Sequence, residues 1–315
     1  MSKKKLLAFH GNGVLGLDAL SRKFDIIRLF EVEDKDAAID QVKDDVVAIN
    51  CTVGQFITGD IIKKLPNLEI IATFSVGFDH IDLEAAKERG VKVTNTPNIL
   101  SAETADTGMA LLLATARQIV YADKYTRAGR WEKEGDPPLG KSLTNKKIGI
   151  VGLGGIGQKV AKRCEGFEMD VVYFGPREKK DQPYTYYSDL VKMASECDYL
   201  MLTCPGGDAT KNLVNADVLK ALGPEGMLIN ISRGSVVDQP VLIEALKNGM
   251  IKAAGLDVYQ DEPHIPSALI EMDNVVLLPH IGSATVETRG AMGQLVVDNI
   301  LAHFHGEPLI TEVNL

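Results

Sequence analysis

The stretch KIGIVGLGGIGQKVAKR, residues 147–163, decides the fold. An apolar run, KIGIV, enters a turn carrying Gly152, Gly154, Gly155 and Gly157, and a good helix-forming sequence comes after it. Glycines recur at turns of every kind, so the spacing G-x-G-x-x-G gains its meaning from the strand before it and the helix after it. Gly152 permits the tight turn, Gly154 lets a pyrophosphate come close to the backbone, and Gly157 lets helix and strand pack together. The amides of Gly155, Ile156 and Gly157 at the helix start then face phosphate charge. The stretch is therefore read as the phosphate turn of a Rossmann-type dinucleotide-binding unit.

The next strand ends in VVYFGPREKK, residues 171–180. NAD-binding forms of this turn place an Asp or Glu about 20 residues beyond the glycines, where it accepts hydrogen bonds from the adenosine ribose. Gly175 and Pro176 stand there instead. With no carboxylate to repel it, a 2′-phosphate has room, and Arg177 with Lys179 or Lys180 offers charge-assisted hydrogen bonds to it. The expected cofactor is NADP, with NAD as the alternative; the competing reading of PREKKDQP is a solvated loop.

Outward from these two segments, short apolar runs alternate with amphipathic stretches from end to end: LLAF, DIIRLF, VVAIN, IIATFS and VKVTN, then KIGIVG, DVVYF, YLMLTC, GMLINIS, IKAAGLDV and VVLLP. Strands this continuously apolar are covered on both faces, which is the mark of parallel βαβ units. The predicted class is α/β, with two doubly wound parallel-sheet domains: a Rossmann-type nucleotide domain over residues 99–287 and a smaller, flavodoxin-like substrate domain over 1–98 and 288–315. Residues 101–129 carry apolar positions at helical spacing and predict one or two long helices at the domain crossing. RWEKEGDPPLGKSLTNKK after them reads as an exposed loop carrying Trp131. SATVETRGAMGQLVVDNILAHFHG predicts a closing helix that carries the chain back to the first domain.

The 315 residues suffice for two cores, and a net charge of -9 argues against nucleic acid as a partner. No run approaches the roughly 18 apolar residues of a membrane span, and the basic start MSKKK precedes too short an apolar run for a signal segment, so no membrane association and a cytoplasmic location are expected. Cys51, Cys164, Cys197 and Cys204 lack C-x-x-C spacing and read as buried thiols. His10, His80, His264, His303 and His305 show no ligand spacing with a carboxylate or thiol, so no metal is expected.

Three strand-end loops remain: INISRGSVVD with Arg233, GLDVYQDEP with Glu262 and LLPHIGSAT with His280. Loops at the carboxyl ends of parallel strands converge over one ligand. Singly, each residue is as readily a surface arginine, a solvated acid or a turn histidine. Together, GLGGIG, SRGSVVD, LDVYQDEP and PHIGSAT, with AETADTGMALLLA upstream, resemble the D-isomer-specific 2-hydroxyacid dehydrogenase family over nearly the whole chain. The length and the basic GPR segment are most similar to its glyoxylate, hydroxypyruvate and hydroxyphenylpyruvate reductases.

That resemblance implies a role for each residue. Arg233 binds the substrate carboxylate and keto oxygen, His280 is the general acid, and Glu262 orients its ring. SVGFDHID, residues 75–82, matches the family's substrate-binding turn, so the amides of Val76 and Gly77 cradle the carboxylate. Asp257 sits near the nicotinamide. Thr203, Cys204, Pro205, Ile231, Ser232 and Gly282 line the cofactor cleft with Arg233 and His280, and Thr107 contacts phosphate. A homodimer through the nucleotide domain is implied, and the active site lies in the cleft between domains. The expected reaction is NADPH-dependent reduction of glyoxylate or hydroxypyruvate. The alternatives are a larger aromatic or sugar-derived 2-keto acid, or a binding protein that senses nicotinamide nucleotides and recruits partners, with catalysis secondary.

Overall fold

In the computed structural model, which describes residues 3–11 and 14–315, every pairing between named strands is parallel. Met1 and Ser2, at the head of the basic N-terminal run, lie outside the described residues. The chain forms two compact units, Met1–Leu100 with Ser283–Leu315, and Ser101–Gly282. These limits fall a few residues from the 98 and 288 read off the sequence.

The first unit holds β1 (Lys5–Ala8), β2 (Asp25–Arg28), β3 (Val46–Cys51), β4 (Ile70–Thr73) and β5 (Lys92–Thr94). Their order, β2-β1-β3-β4-β5, is that of flavodoxin-like sheets. All six residues of β3 and all four of β4 are buried, because helices cover both faces of the sheet. The long helix Val286–His305 packs on β4; the Thr285 side chain caps its start by accepting the Thr288 amide, and Gly306 ends it at φ 73°. Beyond it, the buried Asn299 pins the returning chain: its Oδ1 accepts the Ile310 and Thr311 amides at 2.9 and 3.1 Å.

The second unit holds β6 (Lys147–Val151), β7 (Asp170–Phe174), β8 (Thr185–Tyr187), β9 (Tyr199–Leu202), β10 (Met227–Asn230), β11 (Ala253–Leu256) and β12 (Val275–Leu277). The order β12-β11-β10-β9-β6-β7-β8 reverses direction between β6 and β9, and ligands of such sheets bind outside the strand ends at that point. Alternation along the strands feeds two cores: Leu200, Leu202 and Leu228 face one layer, while Tyr199, Met201 and Ile229 face the other.

Two features depart from the sequence reading. β8 is unrecognisable within PYTYYS because it is a three-residue edge strand with no buried residue, so it lacks the apolar signature of the others. Arg130–Glu134, assigned to a loop, forms a short helix after the helices Ser101–Ala116 and Ile119–Arg127, with the Trp131 indole donating to Asp136 at 3.0 Å.

Replacing Asn299 with Ala should destabilise the first unit by about 1–3 kcal/mol, since two amides and Thr311 lose their partner. Thermal unfolding of the variant tests this; an unchanged midpoint would show that the C-terminal segment is held some other way.

Candidate active site

Where β11 ends, Asp257 turns a buried carboxylate toward the loop after β12. Its Oδ1 accepts the Ile281 amide and its Oδ2 the Gly282 amide, both at 2.8 Å, while its carbonyl accepts the His280 amide at 2.9 Å. The loop is thereby wound tightly enough that His280 adopts a left-handed backbone, φ 54°. Burial pushes the Asp257 carboxyl up from the ordinary range, against the opposing pull of the Ile281 and Gly282 amides and of His280. The Tyr259 hydroxyl closes the same corner by donating to the Leu278 carbonyl at 2.8 Å.

Glu262 lies farther along the β11 loop. Its Oε1 accepts the Tyr259 amide at 3.0 Å, which holds the carboxylate in place, and its Oε2 meets His280 Nδ1 at 2.7 Å. Burial works against the charge of Glu262. The His280 hydrogen bond and charge, the Tyr259 amide and the Arg233 guanidinium outweigh it, so the carboxyl sits below its ordinary range. The pairing therefore persists into mildly acidic solution and is lost only as pH falls through that lowered value. With Nδ1 taken, Nε2 is the nitrogen left to exchange a proton with a ligand.

Arg233 comes from the turn after β10, and Asn230 shapes that turn. The buried Asn230 amide donates to the Arg233 carbonyl at 3.0 Å, while its oxygen accepts the Ser232 amide and hydroxyl at 3.0 and 2.9 Å. At the next residue, Gly234, a Cβ would run into the Tyr259 carbonyl, so the Arg233 and Glu262 loops touch backbone to backbone. Three strand ends thus gather a guanidinium, a carboxylate and an imidazole within the second unit.

The glycine turn lies at the sheet reversal. Gly152 has φ 96°, and a Cβ there would lie 2.7 Å from the Cys204 Cα, so β6 and β9 leave no room for a side chain. At Gly157 a Cβ would collide with the Gly152 carbonyl oxygen, the same oxygen that accepts the Thr203 hydroxyl at 2.6 Å. Gly154, by contrast, would meet nothing within 4 Å, and as N-cap of the helix Gly155–Gly166 it contributes no side chain to the first amides. An open approach to uncapped helix amides fits a pyrophosphate.

A family model described as "D-isomer specific 2-hydroxyacid dehydrogenase, NAD binding domain" matches residues 109–282. The chain belongs to this dehydrogenase family. It is 42% identical to glyoxylate/hydroxypyruvate reductase A of Arabidopsis thaliana, over 93% of this chain and 94% of that one. It is 47% identical to hydroxyphenylpyruvate reductase of Plectranthus scutellarioides, over 84% and 86% of the two chains. The solved structure of an NADPH-dependent glyoxylate/hydroxypyruvate reductase from Sinorhizobium meliloti, in complex with NADP and malonate, superposes with a TM-score of 0.91 at 41% identity, covering 99% of this chain and 97% of that one. The protein is thus a nicotinamide-dependent 2-hydroxyacid dehydrogenase.

Not every residue expected to line the dehydrogenase's cofactor cleft offers a side chain to it. Those of Cys204 and Ile231 are buried in the two cores, Cys204 with its thiol pushed up to about 11 by burial, which leaves only their backbone to face a ligand. Ser232 spends its hydroxyl on Asn230. The Thr107 hydroxyl donates to the Gly282 carbonyl at 3.3 Å and keeps its lone pairs. Asp257, expected beside the nicotinamide, has both oxygens engaged by the His280 loop. Pro205 and Arg177 are exposed, and Lys179 is held by its amide on the Tyr173 hydroxyl at 2.7 Å. Among the described residues, Arg177, Lys179 and Lys180 form no ion pair, and no group of three metal-ligating side chains gathers. No described helix is long and apolar enough to cross a membrane. Asn230 and Gly234 escape the sequence reading although both stand within the INISRGSVVD segment; an Asn closing a strand before an Arg is the available signal.

Two glycine variants separate packing from ligand approach. Gly154→Ala should fold with an unchanged melting temperature yet bind the dinucleotide at least tenfold more weakly, whereas Gly157→Ala should lose thermal stability as well. Fluorescence titration with thermal melts checks both, and undiminished binding by Gly154→Ala would remove this turn as the phosphate site.

Proposed function

We propose that the enzyme reduces glyoxylate or hydroxypyruvate to the D-2-hydroxy acid with NADPH, as a cytosolic homodimer, with His280 as general acid. One observation supports this reading above the others: the 2.7 Å contact between Glu262 and His280 Nδ1, which occupies that nitrogen and leaves Nε2 for the substrate. The bound dinucleotide supplies the hydride. Reduction places negative charge on the keto oxygen beside an existing carboxylate, and Arg233 meets both with a fixed, permanently charged fork. His280 delivers the Nε2 proton to that oxygen, and the Glu262 carboxylate stabilises the imidazolium beforehand by accepting from Nδ1. In the oxidative direction the neutral Nε2 takes the proton back. Val76 and Gly77 contribute backbone amides to the carboxylate.

The preference for NADPH rests on Gly175 following β7 where a carboxylate would otherwise meet the ribose, and on two cations, the exposed Arg177 and the half-buried Lys179. The S. meliloti reductase with NADP bound supports it. The small substrates are those named for two of the relatives, while the hydroxyphenylpyruvate reductase keeps an aromatic 2-keto acid as the second reading. For the homodimer, the second unit offers the exposed Ile119, Trp131 and Leu139.

His280→Asn should lower kcat by on the order of 10²–10⁴-fold while leaving NADPH affinity within about twofold. Stopped-flow turnover with a binding titration checks this, and near-normal turnover would take the proton donor elsewhere. In Glu262→Gln the charged ring loses its counterion, so the alkaline limb of the pH profile for reduction should move to lower pH. Arg177→Ala should raise KM for NADPH by about tenfold and leave that for NADH alone, as expected when one charge-assisted contact is lost. Equal effects on both nucleotides would contradict the assignment.

A further inference from the structure

In the first unit, the turn SVGFDHID has three successive carbonyls tied down. The Ser75 carbonyl accepts the Thr96 amide at 2.8 Å, the Val76 carbonyl accepts Asn95 Nδ2 at 2.7 Å, and the Gly77 carbonyl accepts the Ser75 hydroxyl at 2.6 Å. In a planar trans peptide the N–H points opposite to the preceding C=O. Tying these three carbonyls therefore turns the amides of Val76, Gly77 and Phe78 the other way. Among the described residues those three amides donate to no acceptor. Successive outward amides form a concavity suited to an anion.

The third tie continues into the core. Ser75 Oγ lies 2.7 Å from Thr73 Oγ1, and Thr73 Oγ1 lies 2.9 Å from His80 Nε2; all three residues are buried. Counting protons fixes the direction of every bond. Ser75 spends its one hydroxyl proton on the Gly77 carbonyl, which cannot donate, so Ser75 must accept from Thr73. Thr73 then has none left and must accept from His80, which therefore carries its proton on Nε2. Cys51 Sγ, 3.8 Å from the same nitrogen, does not compete as a charged acceptor, because burial pushes its thiol up to about 12.

We propose that His80, Thr73 and Ser75 form a one-directional hydrogen-bond relay that fixes the Gly77–Phe78 peptide, so that the carboxylate cradle presents three amides, the Phe78 N–H among them, rather than two. These are positioning residues: none is assigned contact with substrate. The inference rests on the reading that this turn receives the carboxylate of a 2-keto acid.

The test compares Ser75→Ala and Thr73→Val with the conservative Thr73→Ser, using the full-length enzyme, NADPH, glyoxylate and its methyl ester. The first two variants should raise KM for glyoxylate about tenfold, the effect of releasing one peptide from its hydrogen bond, with NADPH KM unchanged and kcat within about twofold. Thr73→Ser, which keeps the relay hydroxyl, should restore the wild-type value. The ester, having no carboxylate, should show no such rise. A purely structural relay would lower the melting temperature of Ser75→Ala and Thr73→Val and leave KM for glyoxylate in place, and that result overturns the proposal. Should Thr73→Val not accumulate folded, Ser75→Ala, smaller by one atom, carries the test. A wild type that handles acid and ester alike overturns instead the underlying assignment of the turn to a carboxylate.

Discussion

Asp257 takes two backbone amides into one buried carboxylate and a third onto its carbonyl, and those three bonds set the position of His280. A histidine in left-handed backbone would not hold its place in an unsupported loop. With the backbone fixed, the imidazole needs only one further constraint, and Glu262 supplies it at Nδ1. Glu262 is itself held by the amide of Tyr259, the residue whose hydroxyl anchors the end of β12. The imidazole and the carboxylate it meets are therefore fixed by main-chain bonds from two adjacent strand ends, without long flexible side chains between them. For the proton-donor role proposed for His280, preorganisation of this kind removes the need to reorganise at the moment of reaction.

The two units use the same device for different ends. In the second, a buried carboxylate collects amides so that a side chain is aimed. In the first, the Thr96 amide, the Asn95 side chain and the Ser75 hydroxyl hold three carbonyls so that amides are aimed. Asn230 does for Arg233 what Asn95 does for the Val76 turn: a side-chain amide holds a carbonyl and so sets the direction of the next peptide. Asn230 and Asn95, to which no ligand contact is assigned, thus set the backbone at Arg233 and Val76, to which one is.

Much of this was legible in the sequence. Continuously apolar runs announced eleven of the twelve strands, because a parallel sheet covered on both faces must be apolar throughout, and β8 escaped because an exposed edge strand need not be. The glycine turn was legible since only glycine tolerates the contacts at Gly152 and Gly157. Arg233, Glu262 and His280 were visible as polar residues ending apolar strands, and family resemblance grouped them. Partners defined by distance lay beyond pattern reading. The sequence shows the chemistry of Asp257 and not which amides it collects. Asn230, Gly234 and the His80–Thr73–Ser75 series look like ordinary core and turn residues until their hydrogen bonds are drawn.

If Glu262 keeps a proton on His280 Nδ1 and leaves Nε2 to exchange, nitrogen-15 NMR of histidine-labelled enzyme, followed across the pH range in which the ring titrates, reads it directly. The His280 Nδ1 signal should stay in the protonated position throughout while Nε2 moves. A neutral ring whose proton resides on Nε2, with Nδ1 titrating, would contradict the assignment of Nε2 as the proton donor and with it the catalytic role of the Glu262–His280 pair.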